Sequence, residues 1–312
     1  MLLVLDAGSA QRMVDAAGLV FSVTTCTRLH GGDNSAAYEL FDAEKAAHLV
    51  VKVYGERMAW KMRKEVMVYG LLGSVPVPTP EILFVDDSRQ VVDANYALMT
   101  RLPGSPASTV TGGLGGGDVE EIWRQMGAVA RAFHTVTFGE FGYLGPQGVL
   151  EPVDNNRMHM SRILDSHLRT LRDKGGDPAV ADAVERRLAE DAPLLDTCDQ
   201  SVLCHDDLHE DNVLVEQRSG RWLVTGVVDM ENASAADPML DLAKADYYAR
   251  EEPVRRAGLL EGYGPLPPDG EARMALYRLH HALALWSWFA WIGRDRRLPG
   301  LAADMARLAT TR

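Results

Sequence analysis

The sequence predicts an α+β protein of two lobes: a small β-rich N-terminal lobe over residues 1–102 and a larger helical C-terminal lobe over residues 103–312. Three observations predict it. Short β-branched and alternating runs crowd the first hundred residues. A Gly-, Pro- and Ser-rich stretch from Pro103 to Gly117 then breaks the pattern. After it, apolar residues recur at helical rather than strand spacing.

Cys26 to Leu29 and Ala37 to Phe41 read as strands flanking His30-Gly31-Gly32-Asp33-Asn34-Ser35, a turn-forming cluster. His48 to Tyr54 is a third, β-branched run with Lys52 in its middle. A helix is expected from about Met58 to Leu72, with Pro76, Pro78 and Pro80 preventing its continuation. Ile82 to Val85 and Tyr96 to Thr100 complete the sheet. Pro103 to Gly117 reads as a linker or mobile loop. Beyond it, Asp118 and Glu121 have capping-box spacing, and Val119, Ile122, Trp123, Met126, Ala130 and Phe133 recur along one helical face. Further helices are expected over about 155–173, 177–192, 239–250 and 271–292. In the last, Trp286 and Phe289 share a face and read as core. Trp288 and Trp291 are candidates for lining a substrate pocket.

Apolar residues at 46% and charged residues at 24% are those of an ordinary globular protein, with ample length for a core. The formal charge of −12 argues against a nucleic-acid partner, which needs clustered Lys and Arg, and would suit a cationic ligand. Cys26, Cys198 and Cys204 show no paired spacing, so neither a disulfide framework nor a zinc site is indicated. The longest apolar run, Ala282 to Ile292, is shorter than the roughly 20 residues needed to cross a bilayer. No membrane partner is expected, and the cytoplasm is the default compartment.

The chemistry concentrates in Cys204-His205-Asp206-Asp207-Leu208-His209-Glu210-Asp211-Asn212. Val213 to Val215 and Trp222 to Val228 follow as a hairpin, and Asp229 ends its second strand. Phosphoryl transfer needs a carboxylate to orient the attacking hydroxyl, then an amide and a second carboxylate to hold magnesium against the nucleotide phosphates. Asp207 is the candidate base, with Asn212 and Asp229 as the candidate magnesium ligands. Lys52, alternating away from Val51 and Val53, is expected to face a cleft and contact phosphates, steadied by Glu65 on the next helix. Gly31, Gly32 and Ser35 are candidates for covering the phosphates with backbone N–H groups. No P-loop pattern occurs. His205 reads as a loop-orienting histidine. Asp237 or Asp241 would cap the helix near Pro238, with Asp241 also able to brace the loop. Glu231 would approach either magnesium or a cationic substrate.

At these residues the chain resembles the aminoglycoside phosphotransferase and choline kinase-like family, relatives of protein kinases. His205 to Asn212 resembles its His-Gly-Asp-Leu-His-x-x-Asn loop, and Val228-Asp229-Met230-Glu231 its Ile-Asp-Trp-Glu segment. Asp237-Pro238 through Asp241-Leu242-Ala243 resembles its Gly-Asp-Pro-x-x-Asp-Leu-Ala helix start, and Phe133-His134 its Leu-His. Tyr96 to Gly104 is similar to the hinge, where backbone groups of residues 99–101, Met99 to Arg101, would hold adenine. The likeness spans roughly 25–245. Asp206 and Ala236 depart from it, each standing where the family has glycine; Asp206 should raise the proton affinity of one carboxylate if it lies close to Asp207.

The resemblance implies a bilobal protein-kinase-like fold binding ATP, with GTP as an alternative, and magnesium between the lobes. It implies a hydroxylated small-molecule acceptor, an aminoglycoside or other hydroxyl-rich antibiotic first, a metabolic alcohol, sugar or nucleoside second. Two readings of other classes compete: a metal-dependent hydrolase using His205 and His209, and a catalytically silent kinase-like binding protein.

Overall fold

Alternation in the first hundred residues becomes a five-stranded antiparallel sheet: β1 (Thr25–Arg28), β2 (Ser35–Asp42), β3 (Ala47–Tyr54), β4 (Ile82–Asp86) and β5 (Asn95–Thr100), in the order β1-β2-β3-β5-β4. The computed structural model describes residues 4–29, 35–249 and 252–311. Two helices cover the sheet. α1 (Ala7–Ala16), which the sequence pattern did not reveal, starts at Asp6, whose carboxylate accepts the Ser9 N–H at 2.6 Å. Its Met13 and Val14 pack with Leu40, Val51, Val53 and Leu98 on one face. α2 (Ala59–Leu72) lies on the other, where Met62 meets Tyr54, Ala97 and Met99. Lys52 therefore points toward α2, flanked across the strands by Ala37 and Ala97, which leave it room.

Pro103 to Gly117 is ordered rather than a loose linker. Its β6 (Ser105–Pro106) pairs with the later hairpin, and two 3-10 turns carry the chain into α3 (Gly116–Phe133). Gly104 has φ +92, and a Cβ there would lie 2.5 Å from the Val215 carbonyl oxygen, so glycine is required both by its backbone conformation and by contact. The expected capping box does not form. Gly115 is the N-cap of α3, and Glu121 instead binds Arg124 at 2.7 Å.

The helical lobe continues with β7 (Thr137–Phe138), β8 (Gly142–Gly145), β9 (Gly148–Val149), α4 (Asn156–Asp173) and α5 (Pro178–Asp191). β10 (Ser201–Cys204), the hairpin β11 (Val213–Arg218) and β12 (Arg221–Val227), and β13 (Ser234–Ala236) carry and frame the reactive loop. α6 (Met239–Tyr248), α7 (Pro253–Tyr263), α8 (Gly270–Trp291) and α9 (Leu298–Thr310) close the lobe; α7 and α9 were not foreseen. One large core runs through α3, α4, α6 and α8, with Trp123, Phe133 and Tyr277 fully buried. α3 and α7 touch backbone to backbone. A Cβ at Gly127 would lie 2.1 Å from the Leu259 oxygen, and one at Gly262 would lie 1.7 Å from the Arg124 oxygen.

Candidate active site

Lys52 is buried at the centre of an ionic cluster that joins the lobes. Its Nζ lies 2.8 Å from Glu65 Oε2 and 2.9 Å from Asp229 Oδ1. Burial by itself would depress the Lys52 pKa, but the Asp229 and Glu65 carboxylates hold it well above the ordinary lysine value. Glu65 also accepts from Tyr54 Oη at 2.6 Å and Tyr69 Oη at 3.2 Å, so both its oxygens are satisfied. Tyr69 in turn accepts the Asp229 N–H at 3.1 Å. Asp229 adopts the left-handed conformation, φ +69, directly after β12. Such strain in a non-glycine residue persists where surrounding bonds enforce it.

The second half of the site is the turn after β10. Asp241, fully buried on α6, accepts the backbone N–H groups of His205 at 2.8 Å and Asp206 at 2.7 Å. His134 lies 3.3 Å from the same carboxylate, with its other ring nitrogen 3.1 Å from Tyr263 Oη. His205 donates from Nε2 to the Val228 carbonyl at 3.0 Å, tying the loop to the segment between β12 and Asp229. Asn212 donates to the Asp207 carbonyl at 2.9 Å and pins the two ends of the loop together. Asp237 accepts the Met239 N–H at 2.9 Å and starts α6.

Lys244, not singled out in the sequence, stands beside Asp207. Its buried Nζ is 3.2 Å from Asp207 Oδ1, and His209 Nε2 is 3.5 Å from the same oxygen. Burial pushes the Asp207 carboxyl up, yet Lys244 and His209 together hold it well below the ordinary carboxylate value. Asp206 behaves oppositely. Burial, with Asp241 and Asp207 nearby and Lys244 only partly compensating, raises it to about 7. The two neighbouring carboxyls thus split, leaving Asp207 as the ionised one. Lys64 is fully buried with its ammonium 3.3 Å from the Tyr143 ring centroid, and burial lowers it to about 6.

Asp206 sits at φ +57, a conformation that glycine adopts without strain. Its folded pKa is above the ordinary value of 3.8, so the stability it contributes is present at low pH and lost as pH rises through about 7. Asp206→Gly should therefore stabilise the protein more at about pH 8.5 than at about pH 5.5, by roughly 2 kcal/mol of unfolding free energy, read by denaturant titration at each pH. Equal shifts at both pH values would show that this carboxyl is not the titrating group.

The other candidates divide. Glu231 is turned toward α2, 3.3 Å from Lys61 and 3.9 Å from Lys52, rather than lying on open surface. Ser35 is buried at the start of β2, opposite Tyr54; Gly31 and Gly32 lie outside the described residues. Met99 is paired in β5, and Arg101 is the first residue past that strand, its Nε 2.9 Å from Glu39. Trp288 and Trp291 are not among the residues that line the cavity between α6, α8 and α9. They stack on each other at 5.3 Å, Trp291 is 65% exposed, and the inward face of α8 carries Trp286 and Phe289 instead. Of the two histidines weighed as a metal pair, His205 Nε2 is taken by the Val228 carbonyl, and His209 Nε2 lies 3.5 Å from Asp207. Among the described residues, the group of three donors close enough for an ion is His134, Cys204 and Asp241, and Asp241 there is already committed to the loop. Asn212 and Asp229, by contrast, offer an amide oxygen and a carboxylate, the hard oxygen donors that magnesium takes.

The chain matches the phosphotransferase enzyme family over residues 25–277. A search of curated proteins gives no match. Among solved structures the fold is similar to aminoglycoside phosphotransferase APH(4)-Ia, with 21% identity, TM-score 0.74 and coverage of 97% of this chain and 98% of that one. A thermostable mutant of APH(4)-Ia in ternary complex with AMP-PNP and hygromycin B gives TM-score 0.73 at 20% identity, covering 96% and 97%. The GDP and kanamycin complex of APH(2″)-IIIa gives TM-score 0.69 at 15% identity, covering 96% and 97%.

Proposed function

The chain belongs to the phosphotransferase enzyme family, and from that premise we propose that it transfers the γ-phosphoryl group of ATP to a hydroxyl of a small molecule. The observation that carries this reading is the convergence of Lys52, Glu65 and Asp229 across the lobes, with the Asp207 loop tied through His205 to Val228 beside Asp229. Residues 1–102 would form the nucleotide lobe and residues 103–312 the acceptor-bearing lobe. The GDP complex of a structural neighbour supports GTP as a second donor.

Asp207 accepts the hydrogen bond of the attacking hydroxyl and takes its proton as the new O–P bond forms. The bond from the γ-phosphorus to the bridging oxygen breaks, and ADP leaves with that electron pair. Lys52, steadied by Glu65, turns from Asp229 to the donor's phosphate oxygens. Asn212 and Asp229 would hold magnesium, which when bound neutralises charge on the phosphates. Backbone groups at Met99 to Arg101 hold the base. Asp241 fixes the loop through His205 and Asp206, and Lys244 keeps Asp207 ionised and oriented.

Lys244→Met should move the acidic limb of the kcat/KM profile to higher pH, because the cation that lowers the Asp207 pKa is gone. Activity at about pH 6 then falls more than at about pH 8, while Lys244→Arg restores the acidic limb. An unmoved limb would leave Lys244 a purely structural ion pair.

Hydroxyl-rich antibiotics have support from hygromycin B and kanamycin in neighbouring structures, and antibiotic inactivation would follow. A metabolic alcohol, sugar or nucleoside is the second reading. The test is magnesium-dependent binding of AMP-PNP by thermal shift, followed by acceptor-stimulated ADP release. Binding without stimulation by any hydroxylated compound in a broad panel would favour a silent binding protein; phosphate release without a nucleotide would favour a hydrolase.

A further inference from the structure

A cavity of about 590 Å³ opens between the last turn of α6, α8 and α9, large enough for a small ring-bearing ligand. Tyr248 lines the cavity and is its link to the reaction centre. The Tyr248 ring lies 4.6 Å from the His209 ring and 5.8 Å from the Lys244 ammonium, and both of those side chains touch Asp207. Tyr247 and Phe289 add apolar and aromatic surface.

The charge of this cavity runs against that of the chain. Although the protein carries a formal −12, the cavity is lined by Arg278, Arg296, Arg297 and Arg307 against two acids, Asp246 and Asp304. Both acids are already engaged. Asp246 faces Arg256 at 3.4 Å and Arg278 at 3.3 Å, while Asp304 accepts Tyr247 Oη at 2.8 Å and faces Arg307 at 3.4 Å. Arg296 and Arg297, among the described residues, have no carboxylate within ion-pair distance; Arg297 lies 5.0 Å over the Phe289 ring. Among the described lining residues a polycationic amino sugar would meet more guanidinium than carboxylate. A carboxylate or phosphate would meet a planar fork of donors suited to it.

We propose that this cavity is the acceptor site and that it takes a hydroxylated ring compound carrying a carboxylate or phosphate. The proposal rests on the phosphotransferase reading and narrows its acceptor. It also separates this chain from the neighbours solved with hygromycin B and kanamycin.

A series built on one ring and differing in charge tests it: glucose, glucuronate, glucose 6-phosphate and glucosamine, titrated calorimetrically into the full chain with magnesium and AMP-PNP. Glucuronate and glucose 6-phosphate should bind about tenfold tighter than glucose, and glucosamine weakest, with the difference shrinking at high salt. The double variant Arg296→Ser, Arg297→Ser should erase the ranking while AMP-PNP affinity stays the same. Glucosamine binding as tightly as the anions, no difference among the four, or an anion preference that survives the double variant would each overturn the proposal. Failure of the wild-type chain to bind AMP-PNP would instead overturn the phosphotransferase reading.

Discussion

Asp207→Ala should lower turnover by about 10²–10⁴-fold while nucleotide binding with magnesium persists. The size follows from what the side chain does. In a loose phosphoryl transition state the nucleophile's proton leaves late, so a base need not be strong; it must be ionised and correctly placed. Lys244 and His209 supply both conditions, holding Asp207 well below the ordinary carboxylate value at hydrogen-bond distance. Removing the carboxylate takes away the acceptor for the hydroxyl but leaves Lys52, Glu65 and Asp229 untouched. Single-turnover ADP release paired with AMP-PNP thermal shift separates the two effects. Near-wild-type turnover would remove Asp207 from the base role, and Asp206 would be the next group to replace.

Asp229→Ala should weaken nucleotide binding by at least about tenfold, and the loss should appear only in the presence of magnesium. Without magnesium, Lys52 still has Glu65 for a partner, and Glu65 keeps both tyrosine hydroxyls, so the cleft survives. What goes is the carboxylate that the left-handed turn after β12 aims at Lys52. Titrating AMP-PNP at several magnesium concentrations gives the readout. An identical magnesium requirement in variant and wild type would contradict the assignment.

The reactive loop and its hairpin were legible because they are local. A turn, a strand, a turn and a strand with polar residues at fixed intervals survive any uncertainty in tertiary packing. Lys52 and Glu65 were legible as a pair because strand alternation and helix position are periodic. Lys244 was not, since only packing places α6 beside the loop. A signal existed, however: it lies one turn after Asp241 in Leu240 to Ala245, where every residue is buried, and a lysine in such a segment needs a partner. The stretch after Pro103 was misread for a different reason. Glycine has two uses, a left-handed backbone and close approach, and neither implies a loose linker; Gly104 serves both in a fixed turn. The phase of α8 was legible, since Trp286 and Phe289 are the buried pair, but which residues line a cavity beside it was not. The arginine cavity joins residues from three helices distant in sequence, and nothing in the linear pattern marks it.

The seam between α3 and α7 has no slack, and it works as a lever. One end is Gly262, pressed on the Arg124 carbonyl; next to it Tyr263 steers His134, and His134 leans on the carboxylate that holds the loop amides. A single methyl wedged into that seam would tilt the chain of contacts and unseat the loop, though no atom of the cleft had been replaced. A map of inactivating substitutions in this protein would therefore show a dark stripe along α7, a helix that contributes no side chain to the chemistry.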